Sequence, residues 1–444
     1  MLDTKPLILF FKYAIPSILS LLAISSASIV DGYFIGNYVG SIGLAAINIS
    51  HPMLTILFGF ALMFSVGSSV IVGKLMGENK KDEISNIFTK SIISISIIGI
   101  FLCLLIYFNL ETFFNLFKVE NILKEETLLY LPIILFFLPF LMTAIVLDYF
   151  VRVDENPTLS FLALFLSALT NIILDYLFIV KFDFGLSGAA YATGISYVII
   201  IVILIPHFFS KKTSLKLIKP KGSWFNIINT LKNGFSEFIN ESSIGITVLV
   251  FNYIMLKNFG TQGVASYTII GYLIMISILL SFAISDSMQP IFSKNYGARN
   301  FNRMKSFFKI ASISILLIEL LMTILILTIP EILINLFLKD SEQETRKITL
   351  EFITYAWPAF LFSGLNILIT SYLTSIQKAS LSAFIAILRS LVLPISAIFI
   401  LSSIFGNIGI FMALSVSEFI TFLIAIKIFM KNNPNLIHLR FINL

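Results

Sequence analysis

The chain is a succession of long apolar runs separated by short polar connections. The runs are longer than the roughly 20 residues that a helix needs to cross a bilayer, and they lack the two-residue alternation of barrel strands. The pattern predicts twelve helical spans, at 9–34, 44–73, 87–109, 128–151, 158–180, 186–209, 228–256, 263–293, 307–330, 348–377, 381–404 and 407–430. We therefore expect an all-α membrane protein with twelve transmembrane helices.

The first part of the chain is repeated in its second half. Shifted by 220 positions, residues 12–90 align without a gap with residues 232–310. The identical pairs include Gly40 with Gly260, Gly43 with Gly263, Ala45 with Ala265, Ser65 with Ser285, Lys74 with Lys294 and Gly77 with Gly297. Repetition at half the chain length indicates an internal duplication. Duplicated sets of membrane helices are typical of secondary transporters.

The longest polar connection separates spans six and seven. We therefore predict an N-terminal six-helix lobe at 1–209, a cytoplasmic linker at 210–226 and a C-terminal six-helix lobe at 227–444. Each half has an even number of spans, so both halves begin on the same side of the membrane. Repeats of this kind are related by a pseudo-two-fold axis along the membrane normal.

Composition and charge support this topology. Hydrophobic residues make up 58% of the chain and charged residues 12%, against about 45–50% and 25% in soluble domains. Of the 30 Lys and Arg, 22 lie in tails and loops on the side of the N-terminus, seven lie on the opposite side, and Arg389 lies within a span. The positive-inside rule then places both termini in the cytoplasm. The net charge of +6 is explained by these loops, and we expect no nucleic-acid partner.

Several ionisable side chains lie inside predicted spans, where a central charge costs at least about 2.5–3.5 kcal/mol. Asp31 lies toward the external end of span one, and the duplication pairs it with Phe251, so only one copy carries the carboxylate. Asn171 and Asp175 are four residues apart and share one face of span five. Thr193 in span six can add a hydroxyl. Such oxygens suit a proton or a small hard cation such as Na⁺.

The second half contains its own candidate residues. Glu237 and Glu241 are four residues apart on one face of span seven, so that one could bind a cationic substrate while the other takes a proton. The alternative is that Glu237 pairs with Lys232 near the cytoplasmic end of the span. Asp286 in span eight lies three residues before Gln289 and is a candidate to contact substrate.

Two further features concern the shape and internal pairing of the helices. Pro16 lies within span one, and since proline removes a backbone donor and tends to kink a helix, a bend there is a candidate hinge. The alternative is that such kinks only shape the bundle. Arg389 in span eleven is expected to pair with Glu418 or Glu319 in a structural role.

A series of motifs, taken in order, is characteristic of one known family. They are VDGYFIGNYVGSIGLAA at 30–46, VGKLMGENKKDE at 72–83, YFVRVDENP at 149–157, NIILDYLFI and GLSGAAYATGIS between 171 and 196, and MQPIFSKNYGARN at 288–300. Over essentially its whole length the chain resembles the multidrug and toxic compound extrusion (MATE) family. The resemblance implies two six-helix lobes that form a V around a central cleft. It also implies antiport of organic, often cationic, compounds against a cation.

The resemblance also implies site residues. Family positions that match Asp31, Asn171, Asp175 and Thr193 form the cation site of the N-terminal lobe, and Glu241 matches an acidic position found in some branches. We therefore expect coupling to H⁺ or Na⁺, no cofactor, and no metal other than Na⁺ at the first four residues. The expected cargo is a small amphipathic organic cation. We expect a monomer in the inner membrane of a bacterium.

Three other functional classes fit the sequence less well. A flippase for a lipid-linked precursor, from the same superfamily, would be expected to line its cavity with cationic residues, whereas intramembrane charge here is mainly acidic. A channel is a different class, and duplicated bundles with proline kinks suit alternating access better. An enzyme is not expected, because H-E-x-x-H and G-x-S-x-G motifs are absent and His51, His207 and His438 lack metal-ligand spacing.

Overall fold

The computed structural model describes most of the chain, namely residues 1–116, 119, 121–335, 337 and 342–442. Across these residues every regular element is a helix, which confirms the all-α class. Two of the cations assigned by sequence to the external side, Lys118 and Lys339, lie outside the described ranges.

The described part of the chain contains twelve long helices, which we name α1 to α12 in chain order and which correspond to the twelve predicted spans. Their bounds are Pro6–Phe34, Ser41–Gly77, Lys81–Tyr107, Asn121–Val153, Pro157–Asp175, Gly185–Leu204, 225–259, 261–297, Phe301–Thr328, Gln343–Ala356 with Pro358–Ser375, Ala379–Phe405 and Asn407–Lys431. Shorter helices lie at Leu110–Leu116, Ile205–Phe209, Pro330–Asn335 and Pro434–Ile442.

Two breaks in the backbone interrupt otherwise continuous helical stretches. Helices α7 and α8 form one helical stretch of 73 residues, Phe225–Gly297, which is broken by the non-helical backbone of Gly260. Helix α10 is bent by 55° between its two parts, directly before Pro358. Proline removes a backbone donor, and its ring crowds the preceding turn of a helix, which explains a break at this position.

The duplication is visible in the backbone as well as in the sequence. Gly40, between α1 and α2, has φ 99°, and its counterpart Gly260, between α7 and α8, has φ 65°. Glycine reaches these angles without the steric cost that a Cβ imposes. The turns after α2 and α8 also match, because Asn79 and Arg299 have φ 60° and 56° at the same spacing of 220 residues. The two halves therefore turn the chain in the same way at equivalent positions.

The backbone repeat extends beyond the stretch in which the sequences align without a gap. Glu155 after α4 and Gln377 after α10 have φ 69° and 60°. Gly185, the first residue of α6, and Gly406, directly before α12, have φ 54° and 59°. The two members of each pair are 222 and 221 residues apart, close to the repeat spacing of 220. All six helices of each half therefore belong to the duplication.

The chain divides into two compact units. One comprises Met1 and Ile15–Gly234, and the other comprises Leu2–Ala14 and Phe235–Leu444. The two internal boundaries, after residues 14 and 234, are separated by the repeat spacing, so the leading helix of each half is divided at the equivalent position. The division into domains at 1–209, 210–226 and 227–444 stays a prediction.

Each unit has its own helix packing. In the first unit α2, α3 and α6 pack against α4, and α5 packs against α6. The core of this unit includes the buried side chains of Phe64, Phe88, Leu135 and Phe150. In the second unit α10 packs against α9 and α12, and α11 packs against α12.

Within the first unit, the first turns of α7 cross α2 with their backbones in contact. A Cβ added to Gly67 would lie 1.9 Å from the carbonyl oxygen of Thr230. A Cβ added to Gly234 would lie 1.9 Å from the carbonyl oxygen of Met63. Glycine at both positions is therefore what allows the two helices to approach this closely.

The segment before α7 lies along α3 in the same unit. The side-chain amide of Asn86 donates to the carbonyl of Lys221 at 3.0 Å, and its carbonyl accepts the N–H of Lys221 at 2.9 Å. The hydroxyl of Thr89 accepts the N–H of Ile218 at 3.1 Å. These bonds involve the backbone of the segment, so they fix its path whatever side chains it carries.

Lys90 on α3 makes a buried contact with this segment. Its side chain is 1% exposed, donates to the carbonyls of Gly222 and Ser223 at 3.2 and 2.7 Å, and lies 5.5 Å from the centre of the Trp224 ring. We expect Lys90→Met to lower the free energy of unfolding by about 1–3 kcal/mol, the cost of unsatisfied buried polar groups. Thermal unfolding of the purified protein measures this. Lys81→Met, at an exposed position on α3, is the control, and equal melting temperatures for the two variants would contradict the prediction.

Candidate cation-coupling site

Two carboxylates lie beside a pair of π-helical segments in the first unit. Asp31 is in the last turn of α1, which continues as the π-helix Ile35–Val39. Asp175 is the last residue of α5, which continues as the π-helix Tyr176–Lys181. The two π-helices contact each other. π-Helical turns are frequent at functional sites, and here they follow directly on the two acidic residues that the sequence singles out.

Asp31 and Asp175 both have buried carboxylate oxygens without a hydrogen-bond partner. Asp175 is 0% exposed, and within the described chain neither of its carboxylate oxygens has a hydrogen-bond partner; Oδ1 of Asp31 is also buried without one. The two side chains interact electrostatically. Two like charges repel strongly where water is scarce, and a buried acceptor without a partner costs about 1–3 kcal/mol. A proton or a bound cation would remove both penalties.

Asn171 and Thr193 extend this group onto α6. Asn171 is buried one turn before Asp175 on the same face of α5. Its amide nitrogen lies 3.4 Å from Oγ1 of Thr193, to which it donates. The structure thus brings Asn171 to Thr193 and Asp31 to Asp175. That all four residues bind one ion stays a prediction.

Two tyrosines that the sequence analysis did not identify also belong here. Tyr130 on α4 is buried and interacts electrostatically with both Asp31 and Asp175, and Tyr197 on α6 interacts with Asp31. A phenol can donate a hydrogen bond to a carboxylate. The signal for Tyr197 was its position four residues after Thr193, on the same helix face. Tyr130 lies on a helix with no other candidate and has no such signal.

The donor set fits a hard monovalent cation or a proton. Carboxylate, amide and hydroxyl oxygens are the ligands that hard cations prefer, whereas zinc and other transition metals favour nitrogen and sulfur. Among the described residues no three His, Cys, Asp or Glu side chains converge as they would in such a metal centre.

The equivalent region of the second unit contains aromatic rings. Phe251, the counterpart of Asp31, is fully buried and stacks on Tyr267 with ring centres 5.1 Å apart. Tyr267 in turn stacks on Phe352 at 6.3 Å, a residue that lies 222 positions after Tyr130. The duplication has therefore kept the fold in both copies and the carboxylate pair in one.

The candidates on α7 and α8 form a separate acidic group in the second unit. Glu237 is buried, hydrogen-bonds with Asn240, and interacts electrostatically with both Glu241 and Asp286. Gln289 lies one turn after Asp286 and is buried, with an Oε1 that has no hydrogen-bond partner among the described residues. The structure thus brings the three predicted carboxylates together.

The MatE family model matches residues 16–177 and 237–400, one stretch in each half of the duplication. The chain belongs to the MatE family. It is accordingly a multi-pass membrane protein, and the resemblance noted from the sequence motifs is confirmed.

Relatives of this MatE protein include named exporters. The multidrug export protein MepA of Staphylococcus saprophyticus is 26% identical over 420 residues, which cover 94% of this chain and 92% of that protein. MepA of Staphylococcus aureus strain MSSA476 is 27% identical over 420 residues, with the same coverage. The similarity therefore extends through both halves.

Solved structures show the same fold. One is described as the outward-facing conformation of a multidrug resistance MATE family transporter of the MOP superfamily; it has a TM-score of 0.89 at 20% identity and covers 95% of this chain and 94% of its own. Another, of a MOP superfamily transporter from Pyrococcus furiosus, has a TM-score of 0.88 at 20% identity and covers 97% of both chains. Its description reports a binding pocket of reverse polarity and suggests a different function, so this fold alone does not decide the cargo.

The proposed hinge of this MatE protein lies close to a unit boundary. Pro16 is inside α1, immediately after the change of unit between Ala14 and Ile15. The hydroxyl of Ser20 donates to the carbonyl of Pro16 at 2.8 Å. That α1 bends at Pro16 during transport stays a prediction.

Proposed function

We propose that this protein is a secondary active transporter that exports small organic compounds in exchange for H⁺ or Na⁺. The observation that carries the proposal is the pair formed by Asp31 and Asp175. Both oxygens of the buried Asp175 and Oδ1 of Asp31 have no hydrogen-bond donor among the described residues, and the two carboxylates repel each other. Such a pair needs a positive charge, and a coupling site must be able to exist both with its cation bound and without it.

The mechanism follows from the solvation of the pair. Burial penalises the charged form of a carboxylate, and a bound cation compensates for that penalty. The site can then load from outside and release inside when access alternates. If the loaded state favours release of cargo to the outside, the two fluxes are coupled. By linkage, cargo and cation must then change each other's affinity by the same factor.

We further propose that the cargo is an amphipathic organic cation. The acidic group of Glu237, Glu241 and Asp286 supplies negative charge, aromatic rings can add cation–π contacts, and the relatives are named multidrug export proteins. The protein would act as a monomer in the inner membrane of a bacterium, with both termini in the cytoplasm. It would need no cofactor or nucleic-acid partner and would catalyse no chemical reaction.

Ethidium export tests the proposal. We would measure ethidium efflux from cells that lack their own multidrug pumps, and then ethidium transport by the purified protein in liposomes with an imposed H⁺ or Na⁺ gradient. Transport that one gradient drives and the other does not would name the coupling ion. A well-expressed protein that moves no ethidium under either gradient would contradict the proposal and favour the lipid-precursor flippase. A steady ionic current without cargo would favour a channel.

A further inference from the structure

The middle of the second unit contains a polar cluster that the proposed transport cycle does not use. It joins five helices of one unit, and each member lies well inside its helix, where a charge is costly. Its members are Ser277 and Ser281 on α8, Glu319 on α9, Asn366 on α10, Arg389 on α11 and Glu418 on α12.

Glu319 is fully enclosed by its neighbours in this cluster. Its side chain is 0% exposed. Oε1 accepts the hydroxyl of Ser281 at 2.6 Å, and Oε2 accepts the hydroxyl of Ser277. A Cβ on Gly364 of α10 would lie 2.5 Å from Oε1, so the backbone of α10 closes the site on a further side. The carboxylate is thus held by two hydroxyls and leaves little room for a hydrated ion.

The charges nearest to Glu319 largely cancel each other. Arg389 pairs with Glu418 through Nε and Oε1 at 3.0 Å, which confirms one of the two pairings predicted for Arg389. The charges of Glu418 and Arg389 also act on Glu319, with opposite signs. Helices α8 and α10 contribute hydroxyls, an amide and a glycine to the cluster, none of them charged. Glu319 is therefore the carboxylate in this cluster that no cation neutralises.

The amide of Asn366 adds an unsatisfied acceptor to the cluster. Its nitrogen donates to Oε2 of Glu418 at 2.7 Å and to the Glu418 carbonyl at 3.0 Å. Its oxygen Oδ1 is buried and has no hydrogen-bond partner in the described chain, and the residue is 0% exposed. The cluster thus has one negative charge in excess and one acceptor in excess. One added proton would neutralise that excess charge.

We propose that Glu319, held between Ser277 and Ser281, is a second proton-binding site of this protein. A serine hydroxyl can donate to a carboxylate and can accept from a carboxylic acid, so both the charged and the protonated state of Glu319 keep their hydrogen bonds. The repeat spacing pairs Glu319 with Gly99, so this site exists in the second unit alone. Its role in transport rests on the proposed function, whereas proton binding itself does not.

Infrared difference spectroscopy between high and low pH tests the proposal on the full-length protein in lipid. A carboxyl group that titrates gives a carbonyl-stretch band that appears on acidification. We expect the wild type to show such a band that Glu319→Gln lacks and Glu319→Asp retains. Glutamine keeps the hydrogen bonds to the serines, so a purely structural Glu319 would leave the difference spectrum unchanged, and that result would overturn the proposal.

Two further variants make the test decisive. Ser281→Ala removes one hydroxyl and keeps the carboxyl group, so we expect the same band with a shifted midpoint; an unshifted midpoint would overturn the proposal even if Glu319→Gln fails to fold. A band that Na⁺ abolishes at constant pH would identify a sodium site instead and also overturn it. Asp175→Asn distinguishes the two proposals: if it loses ethidium export while Glu319→Gln keeps the wild-type spectrum, the proposed function stands and the second site falls.

Discussion

Asp175→Asn is expected to lower gradient-driven ethidium export by at least about tenfold. Asparagine has the size and shape of aspartate but carries no charge, so the side chain of the variant can neither take up a proton nor attract Na⁺. Coupling free energies between sites are typically about 1–3 kcal/mol, equivalent to about 5–150-fold in affinity, and the substitution removes this contribution. The measurement is the initial rate of export from liposomes under an imposed gradient. Downhill exchange of ethidium without a gradient should persist.

The chain offers a matched control for this variant. Asp183 lies eight residues further on, in the exposed turn between α5 and α6, with φ 54°. Asparagine is among the residues that tolerate such left-handed backbone, so Asp183→Asn should export ethidium like the wild type. Equal rates for Asp175→Asn and Asp183→Asn would show that the carboxylate pair does not couple transport.

Asp31→Asn should give the same defect, and the double variant should lose little more than either single one. Residues that act through one shared charge are strongly non-additive. Additive losses would mean that Asp31 and Asp175 act at separate sites despite their electrostatic interaction.

The spans could be predicted from sequence because bilayer thickness imposes a length on every apolar run. The backbone repeat could be predicted for a related reason. Gly40 and Gly260 are identical at equivalent positions, and both have the positive φ that favours glycine. The expectation that a proline within a span tends to kink its helix holds at Pro358, where α10 bends by 55°, but Pro132 and Pro139 lie inside the continuous helix α4. The sequence shows where a backbone donor is lost, and packing decides whether the helix breaks.

The site could be predicted only where its members share a helix or match a motif. The spacing of Asn171 and Asp175 places them on one face of α5 whatever the fold. The contribution of Tyr130 depends on α4 packing against other helices of the unit, and no local pattern encodes that. Glu319 shows the same limit: the sequence offered it as one of two partners for Arg389, whereas in the structure two serines hold it and Arg389 pairs with Glu418.

Gly67→Ala and Gly234→Ala are each expected to destabilise the protein by about 3 kcal/mol, the upper end of the usual cost of overpacking. The added methyl group would meet a backbone carbonyl at 1.9 Å in both cases, and a carbonyl cannot rotate away as a flexible side chain can. At roughly 2–4 °C per kcal/mol for a unit of this size, the melting temperature should fall by about 6–12 °C. Thermal unfolding in detergent measures the effect.

Gly245→Ala is the control for both variants. It lies within α7, as Gly234 does, and a Cβ there would meet no atom within 4 Å. Alanine is favoured over glycine in a helix by about 1 kcal/mol, so this variant should melt at or slightly above the wild-type temperature. If Gly67→Ala and Gly245→Ala melted alike, the close crossing of α2 and α7 would not contribute to stability.

The double variant Gly67→Ala/Gly234→Ala tests whether both glycines serve the same crossing. The first methyl group must push α2 and the start of α7 apart, and that movement creates part of the space that the second one needs. Since the two substitutions share this displacement, their effects should not add, and the double variant should be more stable than the sum of the single losses predicts by at least about 1 kcal/mol. Strict additivity would mean that each glycine is required for a separate local reason. The expected coupling would place the constraint in the distance between the two backbones, at the end of the segment of α7 that belongs to the first unit.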